Sequence, residues 1–126
     1  MSAEGTSARA AIAERGEDAA LRRYVGLGYR VLARNWRCRL GEIDLVLARG
    51  ATLVVCEVKT RRGTRLGAPF DAVNRRKQAK LRALAEAFLG SQPGAIGGPL
   101  TEVRFDVASV LIAGGNVSLH VFEDAF

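Results

Sequence analysis

The chain has 126 residues, 48% of them apolar and 25% charged, with a net charge of +6 and an isoelectric point near 10.1. That length supports one domain with a sizeable core, the composition excludes a disordered chain, and no apolar run approaches the roughly 18 residues that cross a bilayer. Two cysteines, Cys38 and Cys56, are too few for a disulfide framework or a thiolate zinc site.

Residues 1–8 read as a flexible arm. Met1–Arg9 lacks the charged and then apolar layout of a secretion signal, so the cytoplasm is the expected compartment. Ala8–Leu27 is alanine-rich and predicts a helix that ends between Gly26 and Gly28. Leu21, Tyr24, Val25 and Gly28 mark its inward face. Glu17 falls on that face as well, four residues before Leu21 and seven before Tyr24, with Glu14 and Asp18 slightly off the line. Tyr29–Asn35 alternates as a first strand, followed by a basic turn, Trp36-Arg37-Cys38-Arg39. The single tryptophan there either plugs the rim of the core or stacks on a base.

Ile43–Leu47 and Leu53–Val58 are two β-type runs joined across Arg49-Gly50. Period-two alternation points Glu57 and Lys59 the same way and Val58 the other, with Asp44 within reach on the neighbouring run. Cys56, among valines, acts as a small apolar residue. Thr60–Pro69 reads as a glycine-punctuated basic loop of the kind that carries ligand contacts. Asp71 is the expected N-cap of a helix running to Leu89 and closed by Gly90. Val73, Leu81, Leu84 and Phe88 form its apolar stripe, and Arg75 and Arg76 face outward. Lys77 sits within that stripe, and either snorkels to the surface or heads for the carboxylates. After a connector, Gly90–Pro99, the runs Val103–Ile112 and Val117–Phe122 form a hairpin across Gly114-Gly115-Asn116. Arg104 and Asp106 share one face of it as an ion pair, and His120 reads as structural. Helix, three strands, helix, two strands is the order of an α/β domain with a mixed sheet and helices packed against it.

Charge is unevenly placed. Between Lys59 and Arg82 nine basic residues face one acid, Asp71, so this segment carries +8 and the rest of the chain −2. Such clustering favours a polyanion, nucleic acid first, over a merely solvated basic face. The candidate contacts are Arg61, Arg62, Arg65, Arg75, Arg76, Lys77 and Lys80.

Two carboxylates about 4 Å apart repel by about 4 kcal/mol at an effective dielectric near 20, and need a cation or a shared proton. Lys59 supplies one charge; a divalent ion supplies two. Hard oxygen donors without nearby histidine or cysteine favour Mg2+ or Mn2+, with Asp44, Glu57 and the Val58 backbone carbonyl as ligands. Beside a basic surface that arrangement suits phosphodiester hydrolysis, with Lys59 orienting the water and stabilising developing charge. Two other readings remain: a non-catalytic nucleic-acid-binding module whose Glu57–Lys59–Asp44 cluster is structural, and an accessory protein recruiting partners through its basic face.

Asp44, twelve intervening residues and Glu57-Val58-Lys59 resemble the PD-(D/E)xK motif of restriction-endonuclease-like nucleases, with Ile43 where that motif has proline. A longer series runs through Gly16-Glu17, Gly28-Tyr29, Asn35, Gly41-Glu42-Ile43-Asp44-Leu45, Glu57-Val58-Lys59, Arg61, Lys77-Gln78, Arg104-Phe105-Asp106-Val107 and Ala125-Phe126. In that order it resembles the small bacterial YraN-like family, itself similar to archaeal Holliday-junction resolvases. The resemblance spans Gly16 to Phe126. It implies an αβββαβ core, metal binding by Asp44 and Glu57, and Lys59 as a catalytic residue. It also singles out Glu17, as the first-helix acid of the resolvase-like branch, over Glu14 and Asp18. The implied activity is a Mg2+- or Mn2+-dependent endonuclease acting on branched DNA in recombination or repair. A symmetric homodimer would suit a two-fold substrate such as a four-way junction.

Overall fold

The computed structural model describes residues 3–63 and 73–126. They form α1 (Ala3–Gly26), β1 (Arg30–Cys38), β2 (Gly41–Arg49), β3 (Thr52–Arg62), α2 (Arg75–Ser91), β4 (Glu102–Ala113) and β5 (Asn116–Phe122). The strands make one sheet in the order β1-β2-β3-β4-β5, with β3 and β4 parallel and every other pair antiparallel. The parallel pair is the one joined through a helix, because only a long crossover returns a chain in the same direction. This is the mixed α/β architecture expected from the sequence, and it carries the αβββαβ order.

The two helices cover opposite faces of the sheet. Along β3, Leu53 and Val55 join Leu81, Leu84 and Phe88 of α2, whereas Val54 and Cys56 join Ala20 and Tyr24 of α1. A strand covered on both sides must be apolar on both, and Leu53 to Cys56 are all essentially inaccessible. Among the described residues no helix is long and apolar enough to cross a membrane.

Several boundaries differ from the sequence reading. The first helix begins at Ala3 rather than Ala8. Its buried stripe is Gly16/Glu17, Ala20 and Tyr24, while Val25 is 50% exposed and Gly28 is exposed too. Val25 follows Tyr24 by about 100° of helical rotation, which carries it off that stripe. The expected turn at Trp36–Arg39 is strand as far as Cys38, closed by two residues, Arg39 and Leu40. Trp36 therefore packs, and its ring meets Phe88 edge-on at 5.3 Å, which settles it as a core plug. Thr60, Arg61 and Arg62 extend β3 instead of opening a loop, paired with Val110, Leu111 and Ile112 of β4. The second helix starts at Arg75, capped by Asn74, whose side-chain oxygen accepts from the Lys77 N–H at 2.9 Å. It continues past Gly90 to Ser91. Asp71, the expected cap, lies outside the described residues. Val73 is buried in the core just ahead of the helix.

One irregularity shapes everything near the candidate site. Residues two apart on a strand normally share a face, yet Arg34 turns to Glu17 and Asp18 on α1 whereas Trp36 packs against α2. On the partner strand Ile43 joins the α2-side cluster and Leu45 the α1-side cluster. The β1–β2 ribbon thus turns over across a single rung. The flanking pairs, Arg34 with Leu45 and Trp36 with Ile43, place Asn35 opposite Asp44 on that rung. Asn35 has a φ of 52°, the left-handed conformation that asparagine tolerates better than most residues.

Candidate active site

The turned-over rung opens a fork in the sheet. The β2–β3 ladder ends at Leu45 paired with Cys56, and beyond it β2 no longer supplies backbone acceptors to β3. Asp44 fills that role with its side chain: its Oδ2 accepts from the Val58 N–H at 2.8 Å. In a strand the N–H and C=O of one residue point to the same edge, so the Val58 carbonyl faces the fork as well.

Glu57 and Lys59 lie on the opposite side of β3 from Val58, as alternation predicts. The Glu57 carboxylate is only 6% exposed, and its Oε2 is 3.2 Å from Lys59 Nζ and 3.3 Å from Lys77 Nζ. Lys77 therefore heads for the carboxylates and does not simply snorkel outward. Two ammonium groups on one oxygen compensate a charge that would be costly to bury alone.

Glu17 reaches the fork from α1. The helix can approach because Gly16 has no side chain: a Cβ there would lie 1.8 Å from the Thr60 hydroxyl oxygen and 2.9 Å from Thr60 Cβ. Glu17 Oε1 accepts from Asn35 Nδ2 at 3.1 Å and from Arg34 Nε at 3.3 Å. Arg34 also binds Asp18 at 2.7 Å, tying Asp18 away from the cleft. Glu42 pairs with Arg37 at the site's outer edge.

Several of these groups line an open cleft of about 570 Å³: Glu17, Glu42, Asp44, Val58, Lys59 and Thr60, together with Arg9 and Arg62. Burial pushes the Asp44 carboxyl up to about 7, and the neighbouring Glu57, Glu17 and Glu42 charges push the same way against the Val58 N–H.

Among the described residues no three carboxylate, imidazole or thiolate side chains converge at metal-binding spacing. The Asp44 carboxylate and the Val58 carbonyl face the fork, and the Glu57 carboxylate is close enough for its charge to act on Asp44. That donor set, all oxygen, fits a small hard cation, since Mg2+ commonly takes one or two carboxylates and keeps several waters.

Two of the predicted nucleic-acid contacts, Lys77 and Arg62, stand at this site. Arg62 lines the cleft, Arg61 is exposed beside it, and Arg75 and Arg76 are exposed at the start of α2. Lys80 lies across Gly41, where a Cβ would meet its Cε at 2.9 Å. Arg65 lies outside the described residues.

Sequence reasoning assigned no role to Arg9, Arg34 or Asn35. Helical period places Arg9 about two turns before Glu17, which is a readable signal. The roles of Arg34 and Asn35 depend on the turned-over rung, and alternation gives no hint of it. Arg104 and Asp106 form the expected ion pair at 2.9 Å, within a buried network that also holds Tyr24 and Tyr29.

Comparison with known proteins adds the lineage. Residues 16–110 match the model of a family described as Uncharacterised protein family UPF0102. A UPF0102 protein of Acidothermus cellulolyticus is 49% identical over 113 residues, covering 83% of this chain and 84% of the relative. One from Mycolicibacterium vanbaalenii is 47% identical, covering 86% of each chain, and one from Clavibacter michiganensis is 44% identical over 90% of this chain and 94% of its own. With three quarters of its length matched and relatives of this closeness, the chain belongs to the UPF0102 family, the YraN-like family whose motifs it carries.

Proposed function

We propose that the fork between β2 and β3 is the active site of a divalent-metal-dependent endonuclease of the PD-(D/E)xK type, acting on branched or otherwise structured DNA. One observation carries the reading: Asp44 and Lys59 line the cleft where the sheet opens, Lys59 is paired with Glu57, and the Asp44 carboxylate is destabilised by burial and by the acids around it. Strongly perturbed groups in a cleft mark functional sites more often than structural ones.

Asp44, Glu57 and the Val58 carbonyl would hold Mg2+ or Mn2+. When bound, the ion polarises the phosphodiester and acidifies an attacking water. The chain's own groups do the rest. Lys59, a compact ammonium anchored on Glu57, orients the water and neutralises charge that develops on the phosphate. Arg62, with Arg61 beside it, holds the backbone of the substrate without reading its sequence.

The test is a cleavage assay on labelled four-way junction, flap and linear duplex with Mg2+ or Mn2+, comparing wild type with Lys59→Ala. That variant should fold, because Lys77 remains on Glu57. Wild type cutting a branched substrate, with cutting lost and binding kept in Lys59→Ala, supports the proposal. No cutting by wild type with either metal, or equal cutting by the variant, defeats it in favour of a non-catalytic nucleic-acid-binding module.

A further inference from the structure

We infer that Asn35 is a positioning residue of this site: it fixes the Glu17 carboxylate so that one of its oxygens is held and the other is left open beside Asp44. The inference rests on the metal-site reading above and extends it to a residue that touches neither metal nor substrate.

Three observations converge. The first is a division of labour within one carboxylate. Asn35 Nδ2 and Arg34 Nε both donate to Glu17 Oε1, and among the described residues Oε2 accepts nothing. Glu17 also lines the Asp44 cleft, and its charge acts on Asp44. A carboxylate gripped by one oxygen has a fixed orientation and a free lone-pair set on the other, which is what a ligand to a cation or to a cation-bound water requires.

The second is backbone conformation. Asn35 is one of two non-glycine residues with positive φ among those described, and it lies within a strand. Such a conformation persists only where the surroundings enforce it, and it gathers at functional sites. Here it occurs on the rung where β1 and β2 exchange faces, opposite Asp44.

The third is a substitution argument. If this rung needed only an unusual backbone, glycine would serve better, having no Cβ to strain. Asparagine accepts the same conformation and adds an amide donor, and that donor is spent on Glu17 rather than on a local turn. Aspartate would accept the backbone too, yet it would add a further acid to Glu17, Glu42, Asp44 and Glu57.

Asn35→Gly separates backbone from side chain, since it keeps the fold's φ and removes the donor. The experiment titrates intact protein with Mn2+ and reads the midpoint of its thermal stabilisation, with branched-DNA cleavage at fixed Mn2+ measured in parallel. Wild type, Asn35→Gly, Asn35→Asp, Glu17→Gln and Asp44→Asn are compared. The expected result is that Asn35→Gly unfolds within a few degrees of wild type without metal but needs about 10- to 100-fold more Mn2+, the usual effect of removing a partner of a ligand. Asn35→Asp should be at least as impaired. If Asn35→Gly matches the wild-type midpoint within twofold while Glu17→Gln does not, Asn35 serves the backbone alone and the inference is wrong. If Glu17→Gln and Asn35→Gly are both unchanged but Asp44→Asn is impaired, Glu17 lies outside the site and the inference falls while the metal-site reading stands. If Asp44→Asn is unchanged as well, the metal-site reading itself fails.

Discussion

Replacing Asp44 by asparagine should stabilise the protein, and by more as pH rises. The carboxyl titrates near 7 in the fold, chiefly through burial and then through Glu57, against about 3.8 in an unfolded chain. Between those values the folded state keeps a proton that the unfolded state has lost, so stability falls with increasing pH. The lost stability is about 1.7 kcal/mol at pH 5 and about 4 kcal/mol at pH 8, taking about 1.4 kcal/mol per unit. Asparagine does not ionise, and its amide oxygen can still accept the Val58 N–H. The preference of the Val58 N–H for the charged form is already contained in that pKa, so no separate cost is subtracted. Asp44→Asn should therefore exceed wild type by about 4 kcal/mol at pH 8 and by about 1.7 kcal/mol at pH 5. Urea denaturation of both proteins in EDTA from pH 5 to 8 reads the difference directly, because every other group titrates in both. Adding Mg2+ at ten times its dissociation constant should then restore about 1.4 kcal/mol to wild type at pH 8 and little to the variant. A stability difference that stays flat across this range, or an Asp44→Asn protein less stable at pH 8, would refute the picture of crowded, under-compensated acids.

Lys59→Met and Lys77→Met should each cost about 1 kcal/mol in urea denaturation, since the other ammonium still faces Glu57 Oε2. The double variant strands that carboxylate and should cost about 3–5 kcal/mol, well beyond the sum. Gly16→Ala should lower stability by about 1–2 kcal/mol despite alanine's better helix propensity, because the new methyl group overlaps Thr60. Thr60→Ala in the same chain should recover part of that loss, which a thermal melt checks. Arg104→Met removes two bonds to the fully buried Asp106 and should cost about 3–5 kcal/mol. Tyr24→Phe removes one and should cost about 1–2 kcal/mol by the same measurement.

What the sequence reveals here is what short-range periodicity encodes. A 3.6-residue repeat places Glu17 on the buried stripe of α1 and Lys77 on the stripe of α2, and a two-residue repeat places Glu57 with Lys59 and Arg104 with Asp106. Non-local effects stay hidden. Thr60–Arg62 reads as loop because its partners, Val110 to Ile112, lie some fifty residues away in a parallel pairing. Trp36–Cys38 reads as turn because Arg37 and Arg39 flank Cys38, yet Arg37 is an exposed position on an edge strand and only Arg39 lies in the turn. The turned-over rung is the deepest omission. Alternation assumes that faces persist along a strand, and at Asn35 and Asp44 they do not. The hydrogen bond from Asn35 to Glu17 therefore appears only in three dimensions, although Asp44 itself is visible as a misplaced charge.

The sheet contains a control for its own functional reading. Asp106 and Asp44 are both acids on inner strands close to α1, and only one is closed. Asp106 is fully buried, and its two oxygens accept from the Tyr24 hydroxyl, twice from the Arg104 guanidinium, and from the Asp124 N–H. That network is saturated, which suits a structural role: it ties α1 and the C-terminal segment to β4. Among the described residues Asp44 accepts a single backbone N–H; it opens onto a cleft and is pressed by three other acids. Folding alone gives no reason to hold such a group, because a hydrophobic residue at the same rung would spare the repulsion. Asp44 is thus the acid that the fold leaves least compensated, and that contrast with Asp106 is the ground on which a divalent cation is proposed at the fork.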